Sequence, residues 1–289
     1  MLTYPDIHPI AFTLGPFSIR WYGIMYVLGF LGAACVAVYL GKRKPRPFSV
    51  NDVADLLFYC AIGVIFGGTI GYVLFYEPGR ILTDPLVLFR FWEPGRSFHG
   101  GLIGVILAVF IYARVHQRRF LEIGDLVAPG IPVGLATGRL GNFLNGELWG
   151  RVTDVPWGMV FPQAGTLPRH PSQLYEFFLE GILLFILLFT YSLKPRKEGE
   201  ISALFLFFYG IFRFIIEFFR EPDINQGFVA WGWLTKGQLL SIPMVVAGLI
   251  LFYYAKKKTF QPQHARSTQS KIQKIQKIKP VQKAERVPR

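Results

Sequence analysis

The chain has little cysteine and little charge, and it lacks the usual marks of soluble catalysis. Two cysteines in 289 residues cannot make a disulfide framework. Both Cys35 and Cys60 fall inside apolar stretches, where a thiol is ordinarily inert packing. Only 17% of the residues are charged, against about a quarter in a typical soluble domain. No His-Glu-x-x-His pair, Gly-x-Ser-x-Gly elbow or nucleotide-binding loop occurs, so no metal site is expected. No basic stretch leads into a short apolar core at the start, so a cleaved signal peptide is not expected. The net charge of +13 invites nucleic acid as a partner. The basic residues instead flank apolar segments or crowd into the C-terminal tail, which excludes nucleic acid and favours anionic lipid.

What the chain does have is long apolar runs, several near the ~20 residues that cross a bilayer as a helix. Seven can be drawn: Ser18–Leu40, Val53–Tyr76, Phe98–Val115, Asp125–Asn145, Ser172–Leu193, Ile201–Arg220 and Gly237–Ala255. The expected fold is an all-α polytopic membrane protein with seven transmembrane helices over 1–255. A basic cytoplasmic tail over 256–289 follows, polar and expected to be disordered, with a period-three run from Lys271 to Lys279. Loop charge sets the orientation. One set of loops and the tail hold 21 basic residues, against seven on the other side. This places the N-terminus outside and the C-terminus in the cytoplasm. Trp21, Trp149, Trp157, Trp231 and Trp233 are expected in the interfacial aromatic belt.

Charge inside such segments costs at least ~2.5–3.5 kcal/mol per residue on insertion scales and points to a functional site. In the sixth segment Tyr209, Arg213, Glu217 and Arg220 lie within about 80° of one another at ~100° per residue. The rest of that helix is almost all Phe and Ile. Arg139 in the fourth segment lies roughly 9 Å below its outer end, and Arg213 is at matching depth in the sixth. His99, Tyr22 and His170 stand at the outer ends of their segments. A cavity open to the outer leaflet is the simplest reading. Two arginines there suit a phosphate or carboxylate, which a guanidinium grips with two parallel hydrogen bonds. Asn142, Asn145, Tyr22 and Tyr209 supply neutral hydrogen bonds. A histidine of ordinary pKa (~6.5) can take the proton of a thiol near ~8.5.

Plainer readings stand beside these. Arg213 and Glu217 can be a structural pair; Gly100, Gly101, Gly138 and Gly141 can serve helix packing; His170 can order its loop. Glu180 needs a basic partner that the sequence does not name. A transporter or channel with an arginine-lined anion site is the rival function, although such sites usually lie near the midplane and between internal repeats.

The stretch GRLGNFLNGELWGR, Gly138 to Arg151, resembles the signature of the prolipoprotein diacylglyceryl transferases. Further resemblance lies at Trp21–Gly23, Ser97–Leu102, Arg169–Glu176 and Phe212–Arg220, in family order across roughly Tyr22 to Ala255. The resemblance implies a seven-helix body with a small periplasmic head in the bacterial cytoplasmic (inner) membrane. It also implies transfer of the diacylglyceryl group of phosphatidylglycerol to the lipobox cysteine thiol of a prolipoprotein signal peptide. Glycerol phosphate would leave, lipoprotein maturation would begin, and the resemblance implies no soluble cofactor. On this reading His99, Arg139, Arg213 and Tyr22 are the catalytic candidates, with His99 the base. Asn142, Asn145, Glu147, Gly150, Tyr209, Glu217, Arg220 and His170, together with Arg139, bind substrate.

Overall fold

A computed structural model describes residues 2–5, 7–44, 46–93, 95–221 and 232–257. The expected tail beyond residue 257 and Trp231 lie outside the described residues. In chain order, β1 (Leu2–Thr3), β2 (Ile10–Leu14) and β3 (Phe17–Arg20) lead into α1 (Trp21–Gly41), α2 (Val50–Tyr76) and a short α3 (Pro78–Thr83). Then come α4 (Phe98–Val115), α5 (Phe120–Val127), α6 (Ile131–Leu144) and β4 (Met159–Val160). The last elements are α7 (Ser172–Glu176), a π-helical stretch at Phe177–Leu183, α8 (Leu184–Ser192), α9 (Glu200–Ile216) and α10 (Lys236–Lys257).

Among the described residues, four helical stretches are long and apolar enough to cross a membrane: Trp21–Gly41, Val50–Tyr76, Ser172–Ser192 and Lys236–Lys257. The expected single span Asp125–Asn145 is instead two helices, α5 and α6, bent by 47°, which together would make a fifth. The cause is local. Ala128-Pro-Gly-Ile-Pro132 removes two backbone donors within four residues, so the helical ladder cannot continue unbroken. The third and sixth segments form the shorter helices α4 and α9, and α10 runs two residues past the expected boundary at 255. The chain is not purely helical either. A hairpin pairs β2 with β3 around Gly15, whose φ of +58° suits glycine, and β1 runs parallel to β4.

The helices pack as antiparallel pairs with glycine at the crossings. On α1, Gly29 and Gly32 meet Gly134 and Val133 of α6; on α9, Gly210 meets Ser241 and Val245 of α10. Between α2 and α4 the contact is closest: Gly63, Gly67 and Gly71 face Gly100, Gly104 and Ala108, backbone against backbone. The largest core lies toward one end, where Leu40, Phe48, Leu56, Tyr112, Ile123 and Leu126 are buried together. Cys35 is exposed on the outer face of α1 and Cys60 is half-buried, so the expectation of buried packing fails for Cys35.

At that end Asp125, buried on α5, holds the start of α9. Its carboxylate accepts from the Gly199 and Ser202 amides (2.7 and 2.8 Å) and from the Ser202 hydroxyl (2.7 Å). A carboxylate there satisfies orphan amide donors and meets the positive end of the helix dipole. Asp125→Asn turns one acceptor into a donor facing an N–H group. It should destabilise the protein by on the order of 2–3 kcal/mol, seen as a lower unfolding temperature in detergent.

Candidate active site

The other end of the bundle gathers the polar residues. α6 ends at Leu144, and the chain doubles back through Gly146 and Leu148, both at positive φ (65° and 58°). This fold-back brings Glu147 under the helix end. Asn142 donates to Glu147 Oε1 at 2.9 Å and Asn145 donates to the same oxygen at 3.4 Å. Gln173 of α7, fully buried, donates to the Glu147 carbonyl at 2.6 Å, and Ser172 donates to that of Leu148. The Tyr4 hydroxyl caps the end of α6 at the Phe143 carbonyl (2.7 Å). Gly150 is squeezed between two backbone segments: a side chain there would meet the Phe219 and His170 carbonyls at 2.4 and 2.7 Å. Only glycine allows that approach.

The arginines stand just beside this loop, and one carboxylate joins them. Glu176, at the end of α7 and wholly buried, places Oε2 2.7 Å from Arg139 Nη2 on α6 and 3.0 Å from Arg213 Nη1 on α9. Its other oxygen lies 3.8 Å from Arg220 Nε. The π-helical stretch begins at the next residue, and its wide turn carries Glu180 to 3.9 Å from the same Arg213 nitrogen. Arg139 also donates to Asn142 at 3.3 Å, which couples the cluster to the 142–147 loop.

Arg213 and Glu217 do pair, at 2.9 Å, within this larger network. Glu217 also lies 3.6 Å from Arg220 and accepts from Thr235 Oγ1 at 3.0 Å. That Thr235 begins α10 through a capping box: its hydroxyl accepts from the Gln238 amide while the Gln238 side chain accepts from the Thr235 amide. Gly237 leaves room for the Glu217 carboxylate, which a side chain there would meet at 2.6–2.8 Å. Arg151 donates to the Glu217 and Arg220 carbonyls, so a cation sits on the exposed carbonyls at the end of α9.

The remaining candidates are spread around this centre. Tyr22 opens α1, lies against Gly141 and shares a 3.1 Å hydrogen bond with Tyr26. Tyr209 lies one turn before Arg213 and stacks on Phe205. His170 is half-buried with Nδ1 3.1 Å from the Tyr175 hydroxyl, which in turn accepts from Trp157 Nε1 at 2.7 Å. Burial pushes this imidazole below the usual histidine range, against a weaker upward pull from Asp154. His99 is exposed in the first turn of α4, a helix that lies along α2 and so belongs to a different pair from the arginine helices. Among the residues drawn together, Glu176 and Gln173 had no role assigned from sequence. The signal for Glu176 was a carboxylate in an apolar segment at the arginines' depth. Trp149 packs against Phe161.

Among the described residues, no three His, Cys, Asp or Glu side chains lie close enough to share a metal ion. A separate shallow cleft beside α2 is lined by Arg80, Arg90 and Arg96. Glu77, Glu93 and Asp84 pair with the first two, and backbone carbonyls accept from the third. In the cluster at α6, α7 and α9 the arginines are more enclosed than Arg80 and Arg90, but not sealed. The side chains of Arg139, Arg213 and Arg220 retain 21%, 15% and 14% exposure, beside a Glu176 that retains none. Such an array can seat one small anion.

The family model described as prolipoprotein diacylglyceryl transferase matches residues 9–254. A protein of Legionella pneumophila (strain Philadelphia 1) named phosphatidylglycerol–prolipoprotein diacylglyceryl transferase is 56% identical over 253 residues, 88% of this chain and 99% of its own. One of the same name from Coxiella burnetii (strain RSA 331) is 54% identical over 255 residues, 88% of this chain and 98% of its own.

Proposed function

Because the chain belongs to the prolipoprotein diacylglyceryl transferase family, we propose that its arginine–carboxylate cluster is where phosphatidylglycerol is cleaved. The enzyme transfers the diacylglyceryl group of phosphatidylglycerol to a prolipoprotein, the first step of lipoprotein maturation. The observation that carries the site is the shared grip of Glu176 on Arg139 and Arg213 from two different helices. It holds two guanidinium forks at one point for a headgroup phosphate.

The acceptor is the lipobox cysteine thiol of the signal peptide. Its sulfur attacks the glycerol carbon that carries phosphate; a C–S bond forms, the C–O bond breaks, and the electron pair leaves on glycerol phosphate. Attack at an sp³ carbon needs no oxyanion hole. It needs a thiolate and dispersal of the charge that builds on the leaving phosphate. Arg139 binds the lipid phosphate and Arg213 stabilises the departing glycerol phosphate, with Arg220 adding charge beside it. Tyr22, Asn142, Asn145 and Tyr209 orient the headgroup. Glu147 and Glu217 hold their cationic and amide neighbours in place, and Gly150 and His170 shape the loop past which the peptide enters. His99 takes the thiol proton; its exposure on the first turn of α4 leaves the ring within reach of an entering peptide.

The seven helical segments, the bent α5–α6 pair counted as one, cross the bacterial inner membrane. The N-terminus and the site face the periplasm and the C-terminus the cytoplasm, with the strand-bearing segments as a small head. The distribution of basic residues supports this orientation. So does the gathering of the candidate residues at one end of antiparallel helices.

Purified protein incubated with phosphatidylglycerol and a lipobox peptide should raise the peptide mass by one diacylglyceryl group. A folded protein that leaves the mass unchanged would sink this reading. His99→Gln should lower kcat by at least about 100-fold with little change in KM for lipid. Full activity in that variant would remove His99 as the base.

A further inference from the structure

We propose that Glu176 is a positioning residue that sets the charge of the site, matching it to a phosphodiester monoanion so that the phosphate product can leave. The inference rests on the lipid-phosphate reading above and names what controls release from that same site. Three guanidiniums, Arg139, Arg213 and Arg220, converge on Glu176, and Glu217 lies against two of them. Two carboxylates in contact with three arginines, with Glu180 3.9 Å from Arg213 behind them, offset most of the positive charge of the cluster.

The arrangement is layered. Glu176 has no exposed surface, while the side chain of each arginine keeps some. An arriving anion therefore meets the arginines from the front without having to expel Glu176. Glu180 lies 3.9 Å from Arg213 and makes no hydrogen bond. Glu176 is thus the carboxylate best placed to fix how strongly the front face attracts.

That strength matters because the reaction changes the anion's charge. The donor lipid holds a phosphodiester with one negative charge. The product holds a phosphomonoester, whose second ionisation lies near pKa ~6 and brings its charge toward two at neutral pH. Three uncompensated arginines would bind the product more tightly than the substrate and stall turnover. A site whose positive charge is mostly offset gains little from the second charge, so the product does not outcompete new lipid.

Glu176→Gln keeps the shape and one acceptor oxygen but removes the charge. In the full-length purified enzyme, the inhibition constant of glycerol phosphate should fall at least about tenfold, the scale of one added charge at a partly buried site. KM for phosphatidylglycerol should change by less. Glu176→Asp should return product binding close to that of the unaltered protein. A role in packing alone would weaken product binding together with stability. Product binding in Glu176→Gln that is weaker or unchanged would therefore overturn the proposal.

If Glu176→Gln does not fold, the unaltered enzyme decides the matter. Dianionic glycerol phosphate and monoanionic glycerophosphoglycerol should inhibit it within about threefold of each other. A preference for the dianion of about tenfold or more would overturn the proposal. An unaltered enzyme that transfers no lipid at all would instead fault the lipid reading on which this one rests.

Discussion

Arg213→Gln should abolish transfer, with kcat/KM falling by at least about 1,000-fold, and should also weaken the fold. Two effects combine. In the reaction, Arg213 is the guanidinium assigned to the departing phosphate, and loss of one such donor typically costs about 100- to 1,000-fold. In the resting protein it spans Glu176 through Nη1 and Glu217 through Nη2, at 3.0 and 2.9 Å. Taking it away leaves buried carboxylates facing one another, and breaking a buried pair costs about 3–5 kcal/mol. Arg213→Lys separates the two effects. The charge remains, but one ammonium cannot hold both carboxylates in a fork, so the fold should survive while transfer drops about 100-fold. Near-normal transfer in folded Arg213→Lys would show that charge alone suffices there.

Gly104→Val should prevent the folded protein from accumulating in the membrane. An added Cβ at Gly104 would lie 2.0 Å from the Gly63 carbonyl oxygen and 3.0 Å from the Gly67 Cα. Both obstacles are backbone, so no side chain can swing aside and the helices must part. Overpacking ordinarily costs about 1–3 kcal/mol, and forcing two backbones apart along a whole crossing should exceed that. The contrast is Gly138→Ala. Although Gly138 opens the signature stretch, nothing lies within 4 Å of where its Cβ would be. That variant should fold normally. Yield of monodisperse protein in detergent tests both, and equal yields would refute the packing argument.

The two glycines also show what sequence alone conveys. Glycine in an apolar segment marks either close packing or open space, and only the neighbouring helix decides which. Segment ends were more legible. Phe98–Val115 emerges as expected because Ser97 caps α4 and the apolar run defines its length. The break between α5 and α6 also had a signal, in Pro129, Gly130 and Pro132, but tolerance of proline in membrane helices made one span the simpler reading. The hairpin at Gly15 was submerged in an otherwise helical pattern.

The site divides in the same way. Arg139, Asn142 and Glu147 were legible because they sit in one stretch, and the stripe on α9 because it repeats with the helical turn. Glu176 was not, because its meaning comes from three arginines on other elements. The same holds for Thr235 and Gly237, which hold Glu217 across a chain reversal that no local pattern announces.

The grip of Glu176 also fixes a timetable for synthesis. Thirty-seven residues separate Glu176 from Arg213, and Arg139 precedes it by the same interval. At about 5–20 residues per second, Arg139 leaves the ribosome seconds before its counter-ion exists, and that counter-ion waits as long again for Arg213. During those intervals the insertion machinery must shelter first a lone cation and then an incomplete pair. The bend ahead of α6 shortens the continuous apolar helix on which the cation arrives. Arg139, the arginine proposed to bind the lipid phosphate, therefore settles late, and its final seat is built only when α9 docks.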